Sequence, residues 1–156
     1  MKNKLLFCLL PFALTISLLS VAVGDDVRNK VDPKSLYARV GGQEAINAAV
    51  DLFYEKLLAD ERVNFFFDDV NMKVQIRKQK EFLSAALGGP EPWTGKDMRK
   101  AHENLDLREE DFSVVAEHLQ NTLVELKLDH KLVEEIMTLV ASTKDDVLNK
   151  PSEGKK

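Results

Sequence analysis

The sequence predicts an all-α domain, on three observations. Apolar residues recur at i, i+4, i+7 spacing along most of the chain, proline and glycine are confined to a few breaks, and no stretch alternates polar with apolar as a half-buried strand would. Internal repeats and sustained heptads are absent. With 156 residues, 44% hydrophobic and 31% charged, the chain holds one core rather than two.

The first segment is read apart from the fold. Lys2 and Lys4 precede an apolar run from Leu5 to Val23, and the small residues Ala22 and Gly24 sit as a cleavage site needs them before Asp25. Residues 1–24 therefore read as a secretory signal peptide, and the expected location is exported, periplasmic or secreted. The run is long and Pro11 interrupts it, so an uncleaved membrane anchor is the alternative. Cys8 is the one cysteine, so no intramolecular disulfide forms, and removing the leader leaves a cysteine-free chain suited to an oxidising compartment. Residues 25–34, charged and containing Pro33, read as a linker, 35–149 as the folded domain, and 150–156 (KPSEGKK) as a flexible tail.

Within 35–149 a short helix around Leu36–Val40 stops at Gly41-Gly42. A second helix, Gln43 to about Ala59, carries an inward stripe of Ile46, Val50, Phe53, Tyr54 and Leu57. Asp60-Glu61-Arg62 leads into Val63–Phe67, a tight turn with three consecutive phenylalanines that suits either core or the wall of a flat aromatic ligand's pocket. In the next helix, Met72 to about Leu87, Gln75 and Gln79 share a stripe with Phe82, Leu83 and Ala86. Two amides on an apolar stripe are either the wet edge of the helix or buried groups that need partners.

Gly88-Gly89-Pro90-Glu91-Pro92 ends that helix and gives an extended connection. Thr94 is expected to cap a short helix in which Met98, Ala101, His102 and Leu105 share one face. An imidazole on such a face needs a partner for each ring nitrogen. A backbone carbonyl or a metal would serve, and spacing alone leaves both open. A further helix from about Glu110 to Lys127 turns Phe112, Val115, Leu119, Leu123 and Leu126 inward. Asp129 then caps a last helix, about His130 to Leu148, with Leu132, Val133, Ile136 and Val140 inward.

Several functions are excluded. The net charge is −4 with no basic stripe, which argues against nucleic acid. No phosphate loop, dinucleotide fingerprint, zinc-spaced Cys/His cluster or Cys-x-x-Cys-His occurs, and Ser84 and Ser113 lack the partners of a nucleophilic serine. His118, between Val114 and Thr122, reads as structural and His130 as exposed.

Taken together, the ordered pieces resemble the group I truncated haemoglobins, the two-over-two globins. The resemblance rests on Ser35-Leu36-Tyr37 with Gly41-Gly42, Phe53-Tyr54, Arg62-Val63-x-x-Phe66-Phe67, Gln75-x-x-x-Gln79, Leu87-Gly88-Gly89-Pro90, Met98-x-x-Ala101-His102, Phe112 and Val115-Ala116-x-His118-Leu119, in the family's order and spacing. It implies a two-over-two helical sandwich around a non-covalent haem b. His102 falls on the iron's proximal ligand and Phe67 on the ring that packs against the haem. Tyr54, Gln75 and Gln79 fall on the polar cluster that stabilises bound dioxygen. Gln75, Lys78 and Met98 would also line the cofactor. The implied function is reversible binding of dioxygen and other diatomic gases, with oxidation of nitric oxide to nitrate if an external reductase or other donor supplies electrons. In a dry pocket each donor to a bound oxygen is worth about 1–3 kcal/mol.

Three positions depart from common family patterns. Lys78 stands where some members carry a histidine able to ligate the iron, so it is either a sixth ligand, once deprotonated, or a partner of a haem propionate. Thr143 stands where certain members carry a histidine that cross-links to haem, so covalent attachment is not expected. Leu83 replaces an aromatic residue along the apolar ligand tunnel. Two rival functions remain: a six-coordinate electron-transfer or gas-sensing haem protein using Lys78, and an exported helical interaction module without cofactor.

Overall fold

The computed structural model describes residues 31–150. The leader, most of the linker and all of the tail beyond Lys150 lie outside them. The described residues form helices α1 (Leu36–Val40), α2 (Gly42–Ala59), α3 (Met72–Ala86), α4 (Met98–His102), α5 (Glu109–Glu125), α6 (His130–Ser142) and α7 (Lys144–Val147), with a 3-10 turn at Asn64–Phe67 and no strand. None of these helices is long and apolar enough to cross a membrane.

Short polar side chains set the helix starts. Ser35 Oγ accepts from the Ala38 N–H at 3.1 Å, Asn71 Oδ1 from Val74 at 3.2 Å, and Asp129 Oδ1 from Lys131 and Leu132 at 3.0 and 3.4 Å. The hub is α2. It packs against α1, α3, α5 and the 3-10 turn, while α5 pairs with α6. Two helix pairs, α2/α3 and α5/α6, thus lie one over the other, with α1 bridging α2 and α6. The expected stripe of α2, Ile46, Val50, Phe53, Tyr54 and Leu57, is buried and meets Val63, Leu87, Leu123, Leu132, Val133 and Ile136 in one core. Each such side chain is worth about 1.5–3 kcal/mol when fully buried.

Three local expectations shift. Asp97 rather than Thr94 caps α4, its Oδ1 accepting from the Lys100 N–H at 2.8 Å. The indole of Trp93 folds over Gly95, where a Cβ would come within 2.0 Å of the ring, and its N–H donates to Lys96 O at 2.9 Å. That turn consumes residues 94–96 before a helix can start. The last helix breaks at Thr143, where the Ser142 and Thr143 hydroxyls donate to the Leu139 and Val140 carbonyls at 2.6 and 2.7 Å and the Thr143 N–H tightens onto Val140 O at 3.0 Å. In α5, Leu123 is buried, whereas Phe112, Val115, Leu119 and Leu126 are half-buried. The buried carboxylate of Asp111 is answered by the Arg108 backbone N–H at 2.9 Å and guanidinium at 3.0 Å.

The break after α3 is steric as well as conformational. Gly88 has φ +88°, a region L side chains avoid. A Cβ on Gly89 would lie 2.6 Å from the Ser84 carbonyl oxygen and 2.9 Å from the Tyr37 ring. The close approach lets Tyr37 N–H donate to Leu87 O at 2.7 Å, joining α1 to the end of α3.

Asp60, just past α2, ties that helix to α5. Its Oδ2 lies 2.6 Å from both Arg62 Nη2 and His118 Nε2. The Arg62 guanidinium, with His118 and the Arg62 backbone N–H, holds this carboxyl well below the usual carboxylate range. A carboxyl held low in the folded state takes its proton later, on acidification, than it does in the unfolded chain. Its stabilisation is therefore full above the ordinary value of about 4 and drains away as pH falls below it. Asp60→Asn is expected to lose stability at neutral pH and to show a shallower decline below about pH 4 than the parent, read from urea midpoints. An unchanged slope would remove Asp60 from the acid response.

Candidate functional site

Two of the polar residues that the sequence places on apolar stripes, Tyr54 and Gln75, meet where α2 faces α3. Tyr54 is 3% exposed, and among the described residues its only side-chain hydrogen bond comes from Gln75 Nε2, which donates to the hydroxyl oxygen at 3.1 Å. The phenol proton is then left for another acceptor. Burial pushes the Tyr54 pKa up, with the Gln75 bond opposing it more weakly, so the hydroxyl stays protonated and acts as a donor. Phe67 closes the same region, its ring 5.7 Å from the Tyr54 ring at 84°, and Phe53 packs on Tyr54 at 5.5 Å. Phe67 itself is half-buried.

Gln79 follows Gln75 by one turn of α3 and is half-buried. Among the described residues no protein group bonds its amide. Lys78, between them, is exposed and forms no ion pair among the described residues, although its neighbour Arg77 pairs with Glu81 and Lys80 with Asp51. Leu83 packs against the core from the same helix.

His102 ends α4, half-buried, with Met98 one turn before it and also half-buried. Its Nδ1 lies 2.7 Å from the Met98 carbonyl oxygen. A carbonyl only accepts, so Nδ1 carries a proton, and in the neutral ring the lone pair is on Nε2. No described residue bonds Nε2. A carbonyl-anchored imidazole with a free second nitrogen is the arrangement of a histidine that ligates a metal, because the anchor sets both tautomer and ring direction. Among the described residues no group of three or more His, Cys, Asp or Glu side chains comes together to hold a bare ion. The donor set fits a metal that brings its own equatorial ligands, as haem iron does.

The structure thus joins Tyr54, Gln75 and Phe67 by direct contact and His102 with Met98. It links these two groups by no hydrogen bond or ring contact. Other histidines take other roles: His118 is held by Asp60, and the His130 side chain is 88% exposed. Sequence reading missed Arg99, which ties α4 to the segment around α7 through Asp146, Asn149 and Lys150. It also missed Trp93, whose ring sits 5.6 Å from Phe82 of α3. The Arg99 partnership leaves no local signal, since Arg99 and Asp146 are 47 residues apart.

Comparison with known proteins gives a consistent result. The family described as bacterial-like globin matches residues 35–149. A group 1 truncated hemoglobin of Chlamydomonas moewusii is 50% identical over 121 residues, covering 76% of this chain and 71% of the relative. The Fe(III) truncated hemoglobin of Tetrahymena pyriformis superposes with a TM-score of 0.71 at 39% identity, covering 74% of this chain and 98% of that one. A 2/2 hemoglobin of Synechococcus, solved in the cyanomet state with covalently attached heme, also gives 0.71, at 43% identity and with 74% and 99% covered. With this helical sandwich, this extent of identity and this family match, the chain belongs to the bacterial-like globins, among the group 1 truncated hemoglobins.

Proposed function

We propose that this protein holds haem b non-covalently, with His102 as the iron's protein ligand, and reversibly binds dioxygen and other diatomic gases. The observation that carries this is the His102 ring, with Nδ1 engaged by Met98 O at 2.7 Å and Nε2 left free. Haem, when bound, supplies an iron centre open to a diatomic ligand and the one-electron chemistry that nitric oxide oxidation draws on. The chain's own residues supply the rest. Tyr54, fixed by Gln75, offers its proton to a polar ligand, Gln79 adds an amide donor, and Phe67 and Met98 keep water out. Thr143 supports non-covalent binding, because its hydroxyl is spent on Val140 O at 2.7 Å and it offers no imidazole.

Absorption spectra of the ferric, ferrous and dioxygen-exposed protein test the proposal. The parent is expected to show a haem spectrum that His102→Ala disrupts. Tyr54→Phe should release dioxygen about tenfold faster or more, the worth of one well-placed donor. A haem-free protein after reconstitution, or a His102→Ala variant identical to the parent, would sink the reading and favour an interaction module without cofactor.

Conversion of nitric oxide to nitrate is the finer proposal, and it needs an outside electron donor, since the sequence carries no flavin or nicotinamide fingerprint. Lys78 decides between five and six coordination. Its exposure, and the lack of an ion pair to any described residue, suit a bridge to a haem propionate, so Lys78→Ala should leave the unliganded ferrous spectrum high-spin and unchanged. A low-spin parent spectrum that this substitution abolishes would instead make Lys78 an iron ligand.

The Leu5–Val23 run supports export. A chain threaded unfolded through a membrane cannot carry a non-covalent group, so haem is then acquired outside the cytoplasm. Fractionation with N-terminal sequencing is expected to recover protein beginning near Asp25 outside the cytosol. Recovery of cytosolic protein with an intact leader would refute export.

A further inference from the structure

We infer that Arg99 is the positioning residue for His102, holding the short helix α4 in the place where its histidine can serve the haem; this rests on the haem reading above. At five residues, α4 is too short to persist by its own hydrogen bonds. An extended connection precedes it and a non-helical stretch, residues 103–108, follows it. Its main packing partner is α7. Every hydrogen bond and ion pair from α4 to another element, among the described residues, passes through Arg99. The guanidinium donates through Nη2 to Asp146 Oδ1 at 2.7 Å and through Nη1 to the Lys150 carbonyl at 2.8 Å. The Arg99 carbonyl accepts from Asn149 Nδ2 at 3.3 Å.

The far side of this link is itself secured. Asn149 has φ +49°, a left-handed conformation that asparagine tolerates better than most residues, and it stands at the turn after α7. Lys144 and Lys150 both donate to Glu109 in the first turn of α5, Lys144 at 3.0 Å. The segment around α7 is therefore tied to α4 on one side and to the start of α5 on the other, which closes the stretch 103–108 that follows His102.

The Arg99–Asp146 pair is solvent-exposed, with side chains 38% and 56% accessible, so as an isolated ion pair it adds little stability. What it adds is direction. A planar guanidinium making two bonds at fixed angles, with a third at the same residue's carbonyl, fixes where the helix lies and how it is turned. The Met98–His102 bond sets the imidazole relative to α4, and Arg99 sets α4 relative to the rest of the protein. Lysine in place of Arg99 would keep the charge and lose the fork.

The test uses the haem-loaded full chain with Arg99→Ala, Arg99→Lys and Asp146→Asn. Two readouts are followed: the iron–imidazole stretching band of the unliganded ferrous state by resonance Raman, and the rate at which haem passes to an excess of a scavenging apoglobin. Arg99→Ala is expected to shift or broaden the band and to speed haem loss about tenfold, as losing one charge-assisted hydrogen bond would. Arg99→Lys and Asp146→Asn should fall between it and the parent, all with parental helix content. If Arg99→Ala fails to fold, Asp146→Asn carries the test, since it keeps the guanidinium and its contact with Lys150. A parental band together with parental haem loss in Arg99→Ala and Asp146→Asn would overturn the inference. His102→Ala separates the two levels: a parental band in that variant means the iron-ligand reading itself has failed, and the role of Arg99 falls with it.

Discussion

A tyrosine hydroxyl buried on an otherwise apolar helix stripe must find a partner, and among the described residues one partner bonds it. Tyr54 sits in α2 among Ile46, Val50, Phe53 and Leu57, and among the described residues only Gln75 of α3 reaches its hydroxyl. An unpaired hydroxyl there would cost about 1–3 kcal/mol, so the bond sets how α3 lies along α2. The same bond arranges the chemistry. The hydroxyl oxygen is occupied and its proton is not, which turns a residue that could either donate or accept into a donor. Phe67 and Phe53 keep the surroundings dry, where a donor counts for most. The hub helix thus serves core and site with the same face.

The His102 side is built on a different principle. Where α2 and α3 are held by a continuous apolar contact, α4 is a single turn and a half attached through polar links at its edge. The GGPEP break, the Trp93 turn over Gly95 and the Asp97 cap deliver it, and the segment around α7 receives it. A long helix packed into the core at this point would fill the space a flat cofactor needs. A short one, positioned by hydrogen bonds, presents an imidazole without adding a long packed helix. The Tyr54 side is thus rigid through packing, while the His102 side rests on a few polar links, the division that the proposed haem site would call for.

Three histidines show how far residue type is from residue role. His118 is held by Asp60, whose carboxylate is also claimed by Arg62, and joins α2 to α5. His130 stands in solvent beside Glu134. His102 alone gives one ring nitrogen to a carbonyl within its own helix and keeps the other free. That His118 is structural and His130 exposed was legible from neighbouring residues on the chain. The third was legible only as a choice between core and metal, because the helical face around Met98 and Ala101 is compatible with both. What tipped that choice was the distant set of Tyr54, Gln75 and Gln79 read as a family pattern.

The sequence alone determined the all-α class, the order of the helices, the inward stripe of α2, the breaks at Gly41 and Gly88, and the cap at Asp129. All of these follow from interactions within about one helical turn, which periodicity and capping chemistry expose directly. It misjudged the cap of α4 and the continuity of the last helix, where Trp93 over Gly95 and the hydroxyls of Ser142 and Thr143 redirect the backbone. The tertiary structure alone decided that Gln75 meets Tyr54, that His118 meets Asp60, and that Arg99 meets Asp146 and Lys150. Those partners are 21, 58 and 47 to 51 residues apart, and a hydrogen bond is set by position in space, which no spacing along the chain encodes.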